Sequence, residues 1–197
     1  MTSKHVNRSV KERARTQKTR IPWGLAGGGV VTLLLVGFMV FQAMQSTPML
    51  GEAYPIASRE HIPDGQKAVD SNSDPPTSGQ HYDQPAEAGF YEVAPPDEAL
   101  VHNLEHGHVV VYYNCELVDE AACASLKEQI KDSMSRAGVA RETGTIKLVA
   151  APRPGMPNLI TYTSWGRLHR AEGLDADEFQ LYVKQNRNRK APEPHAE

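Results

Sequence analysis

Three histidines and a carboxylate fall within seven positions of this chain, in the run His102-Asn-Leu-Glu-His-Gly-His108. Imidazole nitrogens and carboxylate oxygens are the side-chain atoms that hold zinc or copper, and imidazole also moves protons near neutral pH. On a helix, His102 and His106 stand four apart and share a face, with Glu105 one turn from His102. His81 ends a second stretch, Asn72-Ser-Asp-Pro-Pro-Thr-Ser-Gly-Gln-His81. There the Pro-Pro pair fixes an extended backbone and Ser78-Gly79 supplies a turn. The expected ligand set is His81, His102 and His106, with Glu105 as fourth ligand or as the partner that orients an imidazole. The expected ion is copper or zinc.

Two other readings compete for the same residues. Histidine and glutamate near a helix end can satisfy loop carbonyls and amides, and a cation there is favourable without any metal; the cluster would then be a structural clasp. His102-Asn-Leu-Glu-His106 also fits H-x-x-E-H, the zinc signature of inverted-motif metalloproteases, which need a further downstream carboxylate such as Glu172 or Glu178. Here the motif ends a short helix at Gly107 and runs straight into a strand, in a small domain, so a metal-dependent hydrolase ranks third. His108 lies beyond the Gly107 turn, and His61, His169 and His195 are read as ordinary surface or core histidines.

The elements that must position these groups are legible in outline. Pro95-Pro96-Asp97-Glu98 starts a helix, with Asp97 as cap, that runs to His106 and stops at Gly107. His108–Tyr113 (HVVVYY) reads as an interior strand. Ala121–Ala137 has apolar positions Cys123, Leu126, Ile130 and Met134 at helical spacing, ended by Gly138. Strands are predicted at Thr145–Ala150 and Leu159–Trp165, and a closing helix at Asp175–Asn186 with Phe179, Tyr182 and Val183 inward. The expected fold class is α+β, with a three-stranded or slightly larger sheet and packed helices. The order strand-helix-strand-strand-helix also resembles the second half of a thioredoxin-like fold, but the chain has no C-x-x-C.

Charge and hydropathy divide the chain. The first twenty residues carry seven basic side chains against Glu12, and no formal charge follows until Glu52. Within that gap Trp23–Met44 is apolar over about the twenty residues a helix needs to cross a bilayer. Flanking lysine and arginine stay cytoplasmic, so the N-terminus is expected inside and residues beyond about 46 outside the cell membrane. A cleaved secretory signal is the alternative, although Gln42-Ala-Met-Gln-Ser46 offers no good cleavage site. The expected organisation is a basic cytoplasmic tail at 1–22, a transmembrane helix at 23–44, a linker at 45–70, an extracytoplasmic domain at 71–190 and a loose polar tail at 191–197. Beyond residue 20 the chain has 14 basic and 23 acidic residues. Such a domain is unsuited to phosphate backbones, so no nucleic-acid partner is expected.

Cys115 and Cys123 are the only cysteines, and both lie on the expected outer side, where disulfides persist. A structural disulfide between them, bringing a strand end onto the next helix, is favoured over a redox pair or thiolate metal ligands.

Ser73-Asp-Pro-Pro-Thr-Ser-Gly-Gln-His81, Val101-His-Asn-Leu-Glu-His-Gly107 ahead of Val-Val-Val-Tyr-Tyr, Thr163-Ser-Trp-Gly166 and Ala191-Pro-Glu-Pro194 together resemble a bacterial membrane-anchored family, domain of unknown function 3105. The resemblance covers about residues 58 to 194. It implies the membrane-anchored architecture and draws attention to His81, His102, Glu105 and His106; it implies no reaction. The functional expectation is a single-pass membrane protein whose outer domain binds copper or zinc, in metal handling or membrane-complex assembly. Its partners would be membrane lipid, through the N-terminal helix, and another membrane protein. The alternative is a non-catalytic interaction module or accessory subunit with a structural His/Glu clasp.

Overall fold

The computed structural model describes residues 32–39, 42 and 48–196, and the chain divides at Thr47 into two units. In the first unit residues 32–39 and 42 are helical, and the side chains of 32–39 are exposed. Among the described residues no helix is long and apolar enough to cross a membrane. The expected span at 23–44 lies largely outside them.

The second unit, Pro48–Glu197, is built on β3 (Val109–Tyr113), whose five side chains are all buried. A run of β-branched and aromatic residues buried on both faces belongs in the middle of a sheet, and the alternation of the strand sends its side chains to two separate cores. Val109, Val111 and Tyr113 meet Leu126, Ile130 and Met134 of α2 (Glu120–Ala137) and Phe179, Tyr182 and Val183 of α3 (Ala176–Asn186). Val110 and Tyr112 meet Leu100, Val101 and Leu104 of α1 (Asp97–Glu105) on the opposite face. The result is three layers, with two helices on one side of the sheet and α1 on the other.

β4 (Leu148–Pro152) and β2 (Gly89–Phe90) continue the sheet in parallel on one side of β3. β5 (Ile160–Ser164), β6 (Arg167–Ala171) and β1 (Glu52–Ala53) continue it antiparallel on the other. The sheet thus has six strands, against the three or slightly more expected. β6 was hidden because Arg167, His169 and Arg170 mask its one deeply buried residue, Leu168.

Two further expectations change. Residues 48–70 are no free linker: Tyr54 donates to Gly166 O, and Ser58 N reaches Asp70. The tail is docked and not loose. Asn188 N donates to Gly107 O, Glu193 N donates to Glu105 O, and the Lys147 ammonium bonds the carbonyls of His106, Pro194 and Ala196. Opposite α1, Cys115 and Cys123 form a disulfide that joins the end of β3 to the first turn of α2, with Cα atoms 5.3 Å apart.

Candidate metal centre

Helix α1 carries the motif because its apolar side is held on the sheet. Leu100 and Leu104 are wholly buried there, which fixes the helix rotation and turns His102 and Glu105 toward the segment 60–82. Its start differs from the sequence expectation. Pro96 is the N-cap without a side-chain cap, and Asp97 sits in the first turn with its carboxylate 2.7 Å from Arg153. At the other end Gly107 takes φ +86°, where a Cβ would stand 2.5 Å from Asn188 Oδ1, so only glycine lets the tail close on this turn.

The loop before His81 is rigid because its own polar side chains tie it. Asn72 Oδ1 accepts from the backbone N–H of Thr77 and Ser78, and Asp70 accepts from Gln80 N and Ser58 N. His81 then pairs with the segment ahead of the loop: Ile62 N donates to His81 O and His81 N donates to Glu60 O, a bridge that sets His61 beside His81.

One ligand atom from each of His61, His81, His102 and Glu105 lies within 4.8 Å of the others. The outer nitrogen of each ring is already occupied. His61 Nδ1 is 2.8 Å from Asp83 Oδ1, His81 Nδ1 is 2.7 Å from Gly79 O and His102 Nδ1 is 2.5 Å from Tyr82 O. These oxygens only accept, so each Nδ1 carries the proton and each Nε2 is left with a lone pair unless the ring is charged. Oxygen partners on Nδ1 with Nε2 free are how metal-binding histidines are oriented.

The inner atoms then crowd one another. Glu105 Oε2 lies 2.8 Å from His81 Nε2 and 3.7 Å from His61 Nε2. His81, His102 and Glu105 are buried; only His61, with its side chain 45% exposed, opens the cluster to solvent. Lone pairs gathered at this density in a dry place repel unless protons or a cation lie between them. Ligand atoms on one tetrahedral ion sit roughly 3.3–3.5 Å apart, so small rotamer changes bring this set onto such an ion.

Of the residues singled out in the sequence, His81, His102 and Glu105 are brought together, whereas His106 is not among the four. Its Nε2 lies 2.8 Å from His102 Nε2 and 3.5 Å from Glu193 of the docked tail, outside the group of four. His61, read from sequence as ordinary, supplies the remaining nitrogen. Nothing in periodicity marks it, because it reaches the site through an isolated bridge between two loops. Asp83, which pairs with His61 across the two loops, gives no local signal either. Glu172 and Glu178, the downstream carboxylates of the hydrolase reading, are engaged elsewhere, by Asn158 and His169.

Burial lowers the pKa of His102, and the neighbouring His106, His81 and His61 lower it further against the opposing effect of the Tyr82 carbonyl. The ring is thereby kept neutral and able to ligate. Burial beside Lys147 also drives His108 down to about 3, and its Nδ1 has no hydrogen-bond partner. The unfolded chain, with an ordinary histidine near 6.5, takes up this proton first, so the stability present above about 6.5 falls by about 1.4 kcal/mol per pH unit toward 3. Urea denaturation at pH 7 and 4.5 should show a steeper loss for the wild type than for His108→Leu. Equal losses would refute this assignment.

Asp83 tests the orientation of His61. Asp83→Ala removes the Nδ1 partner from an exposed ring, and the dissociation constant of a metal held by this cluster should rise about tenfold, at the low end of what such partners contribute. An unchanged constant in a competition titration would mean that His61 needs no such support.

No curated protein and no solved structure matches the chain. Residues 61–197, well over half of its length, match the family described as proteins of unknown function DUF3105, and the chain belongs to that family.

Proposed function

We propose that this protein is a single-pass, membrane-anchored metal-binding protein whose extracytoplasmic domain holds one transition-metal ion, copper or zinc, through His61, His81, His102 and Glu105. The observation that carries the reading is the orientation of the three imidazoles, each anchored at Nδ1 by an oxygen and directing Nε2 toward the Glu105 carboxylate. Three neutral imidazoles and one carboxylate suit zinc and copper, and the charge of a divalent ion offsets the buried carboxylate. Metal handling or assembly of a membrane complex, with another membrane protein as partner, follows from such a site on a tethered domain. The apolar span, the basic N-terminal flank, the exposed Leu33, Leu34, Phe38 and Met39, and the disulfide support the placement outside the membrane.

The test is metal stoichiometry on the full chain in detergent. After dialysis against buffered zinc or copper, the wild type retains about one equivalent and His81→Ala retains none. Absence of a stoichiometric ion from the wild type at pH 7.5 rejects the reading.

A second reading has its own observation. His81 with Glu105, and His102 with His106, already bond each other at 2.8 Å, so a protonated network could clasp the loop to α1 and present a surface to a partner protein. It predicts that His81→Ala lowers stability equally with and without added metal.

A further inference from the structure

A cavity of about 260 Å³ lies apart from the His/Glu cluster, and its wall includes Met49, Ile56, Arg59, Trp165, Arg167, Arg189 and Lys190. Four of its lining residues are cationic and none is acidic. That concentration runs against the rest of the chain beyond residue 20, where acids outnumber the other bases by 23 to 10. Arg59 and Lys190 form no ion pair among the described residues, and Arg189 has only Glu142 as an acidic neighbour, outside the cavity wall. Arg167 is held by the carbonyls of Leu50 and Gly51, which fix the guanidinium without cancelling its charge.

The wall is built rather than merely charged. The Arg59 guanidinium lies 5.9 Å from the centre of the Trp165 ring, a cation–π distance. Trp165 is itself buried and meets the His81 ring edge-on at 6.4 Å. On the far side Asn188 and Lys190 adopt φ +58° and +57°. A lysine in the left-handed region is strained, and the docked tail on either side holds it there while it lines the cavity with Arg189. Ile56 and Met49, each nearly half exposed, add an apolar side to the cationic one.

We propose that this cavity binds an organic phosphate. Several converging cations match a phosphate better than a single carboxylate, and guanidinium groups present paired donors to its oxygens. The apolar wall takes the carbon portion. The volume, below the usual range for drug-sized ligands, limits the enclosed part to a phosphate and a few carbons. That chemistry is shared by the headgroup of an anionic phospholipid and by a soluble phosphoester. The inference does not rest on metal binding.

Trp23 and Trp165 are the only tryptophans, so the full chain carrying Trp23→Phe reports on the cavity alone. In phosphatidylcholine nanodiscs, glycerol 3-phosphate should change Trp165 fluorescence saturably with a Kd below about 1 mM. Changing the exposed Arg59, Arg189 and Lys190 to glutamine should weaken it at least about tenfold, while His102→Ala should leave it intact. If phosphatidylglycerol nanodiscs suppress the response, the lipid headgroup is the occupant; an equal response in both lipids makes it a soluble phosphoester. No saturable response up to about 10 mM, or one that the triple variant retains, overturns the proposal.

Discussion

His102→Ala is expected to weaken metal binding by at least about a hundredfold. Small structural zinc sites have apparent binding free energies of about 10–16 kcal/mol, so one of four ligands accounts for roughly 3 kcal/mol, or about two decades of affinity. His102 is also the neutral imidazole that burial and its three histidine neighbours keep ready to ligate. The consequence reaches stability. With free metal at 100 times the dissociation constant, the wild type should gain about 2.7 kcal/mol, and a domain of this size should melt about 5–10 °C higher. His102→Ala should gain no more than about 0.4 kcal/mol under the same conditions, a rise of about 1–2 °C. Its metal-free form should lose about 1–3 kcal/mol, through the broken bonds to Tyr82 O and His106. A variant that retains the full metal-dependent rise would remove His102 from the ligand set.

Ending the chain at Lys190 is expected to destabilise the domain by about 3 kcal/mol, although it removes no apolar core. Lys147 is fully buried at φ +47°, and its ammonium spends its three N–H donors on the carbonyls of His106, Pro194 and Ala196. Burial lowers its pKa, opposed in part by Glu142. Truncation strips two of three acceptors from a buried ammonium, and hydrogen bonds to a charged group contribute about 1.5–3 kcal/mol each. Lys147→Met keeps the volume without the charge, so in that background the truncation should cost much less. Urea denaturation of the four proteins gives the coupling, and strictly additive losses would mean that the tail is held by other contacts. The clamp bears on the site as well, because it fixes the carbonyl of His106 and places Glu193 beside the His106 ring.

The sequence was most legible where one rule decided the outcome. HVVVYY had to be an interior strand, and the 126/130/134 spacing had to be the buried face of α2. His102 and Glu105 were visible because helical spacing brings them together locally. What stayed hidden was non-local or irregular. β1 and β2 are two residues each and exist only through their partners β6 and β4, while the charged pattern of β6 gives no hydrophobic signal. His61 enters the cluster by a bridge across twenty residues of proline-rich loop. His106 looked interchangeable with His102, yet the last turn of α1 carries its ring to the rim, where it meets Glu193. The tail looked loose because its anchoring atoms are backbone carbonyls, which no side-chain pattern can announce.

X-ray absorption at the metal edge of the loaded full chain tests the central claim most directly. Three imidazoles and a carboxylate should give four nitrogen or oxygen scatterers at about 2.0–2.2 Å, with the outer-shell pattern of imidazole rings, and one imidazole fewer in His61→Ala. A shell with fewer than three imidazoles in the wild type, or one left unchanged by His61→Ala, would contradict the assignment of His61, His81, His102 and Glu105 as the metal centre.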